Sequence, residues 1–201
     1  MVAPVCLNNL KNHSDEMRNL ITTGALKIFR LAYGVMRKEI LLRWKRCLPF
    51  SDLFVNRWEK AAALGFGKGA SIYDSAYVFG DVCVGENTWI GPFTLLDGAG
   101  GLRIGSNCSI SAGVQIYSHD SVKWAISGGS APYEYAPVCI GDNCYIGPNT
   151  VIARGVTIGT GSIIGAGSLV LESIPPGSKA FGSPCRVIGS VEPTIDKLPV
   201  T

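Results

Sequence analysis

Only two histidines occur in this 201-residue chain, His13 and His119. An imidazole titrates near neutrality, so it can take a proton from an attacking hydroxyl and pass it on. His119 stands in Ile116-Tyr-Ser-His-Asp, at the point where a regular pattern breaks off. A base works better when its second nitrogen is held by a carboxylate, which selects the tautomer and supports the cation. Asp120 is the next residue, and Asp97 stands at the start of an earlier break in the same pattern. His119, Asp120 and Asp97 are therefore the candidate catalytic residues, and the sequence leaves open which carboxylate orients the ring. Beyond them lie Trp124, Tyr133 and Tyr135, with Lys123 and Glu134 alongside. Aromatic faces stack on sugar rings and the two charged groups can hydrogen-bond hydroxyls, so with Asp97 these are candidate substrate contacts. The same aromatics could instead anchor their loop on a neighbouring subunit.

The elements that must position these residues are set by a repeat. An aliphatic residue returns every six positions at Ile72, Val78, Val84, Ile90 and Leu96. After an eight-residue step it resumes at Ile104, Ile110 and Ile116, and after a 24-residue gap at Ile140, Ile146, Ile152, Ile158, Ile164 and Val170. A period of six is neither helical nor alternating; it fits short strands joined by tight corners, three to a triangular coil. The aliphatic residue fills the interior and a small residue four places on packs beside it, so Cys108 and Cys144 are expected core fillers. Glycine often follows the aliphatic residue (Gly85, Gly91, Gly105, Gly141, Gly147, Gly159, Gly165), which predicts corner conformations costly for other residues. Coils stacked roughly 4.8 Å apart give a prism of about five coils. Counted in threes, Leu96 and Ile116 share a face, so the short insertion 98–103 and the long one 117–137 are expected to leave the prism at one corner. Insertions of a solenoid at one corner build a site there. The Gly pair and prolines of 117–137 predict an irregular extended loop.

The run Ile140-Gly-Asp-Asn-Cys-Tyr-Ile-Gly-Pro-Asn, then Gly155-Val-Thr-Ile-Gly, Ile164-Gly-Ala-Gly-Ser, Ile174-Pro-Pro-Gly and Gly182-Ser-Pro-Cys-Arg-Val-Ile resembles the hexapeptide-repeat acyltransferases over about residues 70–190. It is most similar to the galactoside and maltose O-acetyltransferases and to the acetyltransferases of polysaccharide biosynthesis. The resemblance implies an all-β fold, a left-handed parallel β-helix, a homotrimer with active sites between subunits, and acetyl-CoA as donor. It places the family's catalytic histidine at His119, pantetheine contacts at Pro148, Ala166 and Gly167, and a phosphate-binding arginine at Arg186, with Lys179 a weaker candidate. The implied activity is O-acetylation of a sugar hydroxyl, in a surface polysaccharide or its precursor. Two departures matter: many relatives carry proline where Asp120 stands, and Leu171-Glu172 replaces a Thr-Lys pair, which removes one phosphate contact. Relatives acting on nucleotide-linked aminosugars can be acidic at the first position, so N-acetylation stays open; a non-catalytic trimeric scaffold is the reading from another class. Zinc chemistry on this fold needs three histidine ligands, and only His119 lies in the repeat. No metal is expected.

The remaining composition divides the chain. Residues 1–60 hold eleven Lys/Arg against five Asp/Glu, whereas the rest holds seven against ten. Residues 14–46 read as helical, with Ser14-Asp-Glu as cap and Gly24 and Gly34 as possible breaks into two pieces. This basic, apolar segment, ending near Trp44, suits a membrane interface or a cap on the open first coil. Nucleic acid is not an expected partner. The expected organisation is a basic helical segment over 1–70, a β-helix domain over 71–190 and a tail over 191–201. Seven cysteines, an odd number without CxxC spacing, and a mixed polar start without a leader pattern predict reduced thiols and a cytoplasmic protein, with peripheral attachment to the inner membrane face open.

Overall fold

A computed structural model describes residues 6–192, with side chains described from residue 22. The chain forms two compact units that divide between Phe54 and Val55.

In the larger unit the six-residue period becomes three stacked faces. Parallel pairing aligns Ile72, Ile90, Ile110, Ile146, Ile164 and Ala180 on the first face. Val78, Leu96, Ile116, Ile152 and Val170 align on the second. Val84, Ile104, Ile140, Ile158 and Ile174 align on the third. The result is a parallel β-helix of five coils with a sixth begun by Ser178–Phe181, after which Arg186–Ser190 turns back antiparallel. Most of the aliphatic wedges are wholly buried, each contributing about 1.5–3 kcal/mol against exposure. Buried hydroxyls at the neighbouring small position are satisfied by corner carbonyls, as where Thr88 donates to Gly105 at 2.7 Å and Ser168 to Gly165 at 2.6 Å. Cys108 and Cys144 are buried core fillers, as the repeat predicts.

Three expectations need correction. The glycine that often follows a wedge is not there for its backbone angle. A Cβ on Gly85 would lie 2.6 Å from the Ser106 amide nitrogen, and one on Gly105 2.6 Å from that of Asp142. Where glycine stands after the wedge, it is needed because successive coils touch there. The left-handed residue comes two places later and is asparagine as often as glycine: Asn87, Asn107, Asn143 and Asn149 have φ of 56–57°. Phe93, with φ 58°, is the bulky exception. Second, the short insertion does not leave the prism. Tyr77–Val84 and Leu95–Ile104 run through the corner as continuous paired strands, and the extra residues are taken up as a bulge where the register shifts between Gly80 and Val82. Third, the long insertion is ordered: it holds a helix, Val122–Ile126, and an antiparallel pair between His119–Asp120 and Glu134–Tyr135.

The first coil is closed by helix Arg57–Ala63 of the same unit. Asn56 caps it, accepting from the amides of Trp58 and Glu59. Ala61 and Phe66 enter the core, and Lys60 donates to the carbonyls of Tyr73 and Asp74 at 3.0 Å. The smaller unit is one unbroken helix, Cys6–Trp44, which passes through Gly24 and Gly34, followed by Phe50–Phe54. Ser14 therefore lies inside the helix, not at its start; its side chain and those of Asp15 and Glu16 lie outside the described residues. Most of the tail from residue 191 lies outside them too. Among the described residues no helix is long and apolar enough to cross a membrane.

Candidate active site

The corner between the second and third faces gathers His119, Asp97, Asp120 and the loop aromatics. Leu96 pairs with Ile116 in adjacent coils, so Asp97 and the start of the insertion lie side by side. The two breaks in the repeat do meet at one corner, although only the second leaves the prism.

Asp97, not Asp120, is the partner of the imidazole. Its Oδ2 lies 2.5 Å from His119 Nδ1 and also accepts from the Ser118 amide at 2.9 Å, while Oδ1 accepts from the Ala99 amide at 2.9 Å. The residue is 2% exposed. Burial alone would raise its pKa, but the two backbone N–H groups and the His119 ring outweigh it and hold the carboxyl below its ordinary value. An ionised Asp97 assigns the proton of the neutral ring to Nδ1 and leaves Nε2 with a free lone pair. The His119 side chain is 35% exposed. Ser118, which the sequence reading passed over, is wholly buried; its hydroxyl accepts from the Gly100 amide at 2.7 Å and so ties the bulge to the insertion.

Asp120 faces elsewhere. Its Oδ2 accepts from Nε of Arg154, whose Nη2 reaches Glu134 at 3.0 Å, and Glu134 also accepts from Lys123 at 2.7 Å. The Arg154 guanidinium and the Val122 N–H hold the Asp120 carboxyl below its usual range. Arg154 was missed in the sequence, where it reads as an ordinary corner residue of Ala153-Arg-Gly. The signal was available in the register: Ile152 stacks on Ile116, so the next corner must sit against the insertion. Two strands of two residues do not hold in water by themselves. Arg154 grips both, and this sets Tyr135 opposite His119. The rings of Tyr135 and Tyr133 lie nearly parallel to the imidazole at 5.9 and 6.2 Å, and Trp124 packs edge-on against Tyr133 at 5.7 Å. Lys123 and Glu134 engage each other.

The remaining expected residues lie elsewhere on the prism. Pro148, Ala166 and Gly167 occupy the corner between the first and second faces, stacked through a Gly167 N–H to Pro148 carbonyl bond of 2.8 Å. That is the opposite edge of the second face from His119, so one chain does not bring them together. Lys179 lies on the first face, paired in register with Ile163. Arg186 donates to the Cys185 carbonyl at 2.9 Å and lies 3.8 Å from Glu172. Among the described residues no group of side chains could hold a metal ion.

Residues 138–172 match the family profile described as bacterial transferase hexapeptide (six repeats). A galactoside acetyltransferase solved in complex with coenzyme A is 26% identical, over 80% of this chain and 82% of its own, with a TM-score of 0.59. The repeat profile and this neighbour support an acyltransferase built on hexapeptide repeats. AntD, an N-acyltransferase from Bacillus cereus solved with dTDP and 3-hydroxybutyryl-CoA, shares the fold at 24% identity, over 69% of this chain and 92% of its own, with a TM-score of 0.58. A maltose O-acetyltransferase from Clostridium difficile 630 is 32% identical over 63% of this chain and 66% of its own, with a TM-score of 0.44. Comparison with curated proteins gives no sequence match. For an acyltransferase, the corner supplies groups that proton abstraction from an acceptor can use: a partly exposed imidazole, a buried anion behind it, and an ordered aromatic wall.

Proposed function

We propose that this acyltransferase moves an acetyl group from acetyl-CoA to a sugar hydroxyl, in a surface polysaccharide or its precursor, with His119 as general base. The observation that carries the reading is the buried Asp97 carboxylate at 2.5 Å from Nδ1, which leaves Nε2 as the acceptor of the proton. The acceptor hydroxyl loses its proton to Nε2 as its oxygen attacks the thioester carbonyl. The C–O bond forms, the C–S bond breaks, and the imidazolium, balanced by Asp97, returns the proton to the departing thiolate. Tyr133 and Tyr135 offer faces for the sugar ring, with Trp124 behind Tyr133. Asp120 acts through Arg154 on the shape of that wall and not on the proton.

Coenzyme A enters the reading from the coenzyme A complex of the galactoside enzyme. Pro148, Ala166 and Gly167 lie along the pantetheine arm, and Arg186, helped by Lys179, meets the phosphates once it gives up Glu172. Because those residues and His119 sit at opposite edges of one face, the site is completed by a second copy, in a homotrimer. His119→Ala is expected to lower acceptor-dependent thiol release by about 10²–10⁴-fold while coenzyme A still raises the melting temperature. Turnover retained in that variant would remove His119 from the chemistry. An acceptor panel of paired hydroxyl and amino sugars decides between O- and N-acetylation.

A further inference from the structure

Over residues 22–44 the long helix Cys6–Trp44 presents two apolar stripes, and one of them is partly covered. Phe29, Tyr33, Met36 and Ile40 recur at helical spacing. Phe50 of the short following helix packs on Phe29 and Tyr33, with ring centroids at 5.0 and 5.5 Å, and Phe54 stacks on Phe29 at 6.1 Å. Ile28, Leu31, Val35 and Leu42 form a second stripe, confined to about 60° of arc at 100° per residue. These four are 60–72% exposed. Lys27 and Lys38 fall along one edge of that stripe, and Arg30 and Arg37 lie about 100° and 120° beyond that edge. Residues 22–46 carry seven Lys/Arg and one Glu. Trp44 is exposed at the end of the helix with Arg43 over its ring at 5.2 Å.

Apolar side chains in a narrow stripe, long cationic side chains at its edge and an indole at its end are the features of a helix that lies in a bilayer interface. We propose that residues 22–46 dock this acyltransferase on an anionic membrane surface, with Ile28, Leu31, Val35 and Leu42 buried among the acyl chains and Lys27, Arg30, Arg37 and Lys38 among the headgroup phosphates. A second copy of the helix is the poorer occupant. Lys38 stands where a self-complementary seam running from Ile28 through Leu42 needs an apolar residue, and seven positive charges against one negative would face their own kind. An anionic headgroup layer answers that charge. The helix lies along the surface and does not span it, in keeping with the lack, among the described residues, of a helix long and apolar enough to cross.

The test is flotation of the full chain with vesicles of phosphatidylcholine alone or mixed with phosphatidylglycerol. The protein is expected to float with the mixed vesicles, less so in high salt, and to stay behind with phosphatidylcholine alone. Lys27→Glu with Lys38→Glu should weaken binding by at least about 25-fold, from roughly fivefold per lost charge. Leu31→Gln with Val35→Gln should weaken it by at least about tenfold while helicity by circular dichroism is kept. Failure to float with the mixed vesicles, or flotation unchanged in both pairs of variants, overturns the proposal. So does a loss of oligomer mass in the Leu31/Val35 variant with flotation intact, which would give the stripe to a second copy. Vesicle binding is read without turnover, so this result stands apart from the assigned chemistry.

Discussion

Asp97→Asn tests the site at its centre. Asp97 offers four interactions' worth of acceptor capacity and uses three: Ala99 N–H on one oxygen, Ser118 N–H and His119 Nδ1 on the other. Asparagine keeps a single acceptor oxygen. If that oxygen faces Ser118 and His119, the new NH2 meets the Ala99 N–H donor to donor, and one buried N–H is orphaned at a cost of about 1–3 kcal/mol in stability. Catalysis loses more. The charge-assisted hydrogen bond that supports the imidazolium contributes about 1.5–3 kcal/mol, so kcat/KM for the acceptor should fall by about 10- to 150-fold, read as thiol release. The acid limb of stability gives a second readout. A carboxyl held below its ordinary pKa in the folded state stabilises fully above its unfolded value, about pH 4, and loses that contribution as pH falls through its folded value. The variant should therefore unfold less steeply below pH 4 than the wild type. Turnover within about threefold of wild type, or an unchanged acid limb, would refute the pairing as the source of activity.

Arg154→Gln should free both strands of the insertion and lower kcat by about 10- to 100-fold through a misplaced aromatic wall, with coenzyme A binding unchanged. Quenching of Trp124 fluorescence by acrylamide reports the loosened loop, and Arg154→Lys should restore part of the loss. Gly105→Ala drives a Cβ to 2.6 Å from the Asp142 amide nitrogen in the adjoining coil and should destabilise by about 1–3 kcal/mol in denaturant titration. Phe93→Asn places at φ 58° a residue that tolerates the left-handed region, and should stabilise by about 1 kcal/mol by the same measurement.

The division between what could be read early and what could not follows the range of the interactions. A six-residue period constrains every coil in the same way, so the columns of Ile, Val and Leu, the faces they belong to and the meeting of Leu96 with Ile116 could be counted from the chain. Cys108 and Cys144 as core fillers followed from the same count. The role of the glycines could not, because a Cβ on Gly85 is excluded by Ser106, a residue of the next coil, and not by its own backbone. The left-handed corners at Asn87, Asn107, Asn143 and Asn149 were hidden behind that more conspicuous glycine.

At the site, local sequence named the imidazole and both carboxylates but put Asp120 and Asp97 on equal terms. Adjacent residues on a strand point to opposite sides, so Asp120, paired across to Glu134, is turned toward Arg154, while a residue 22 positions earlier supplies the partner of His119. Only the stacking of coils carries that information. The same holds for Arg154, whose meaning depends on an insertion one coil away, and for the exposed stripe of the long helix, since composition shows that a segment is apolar and basic but not which of its faces Phe50 already covers. What this sequence determined by itself was the periodic scaffold and the proposed base, His119. Which groups hold, wall and complete that reagent was decided by contacts between coils and across the two strands of the insertion, where residues far apart in the chain share a few ångströms.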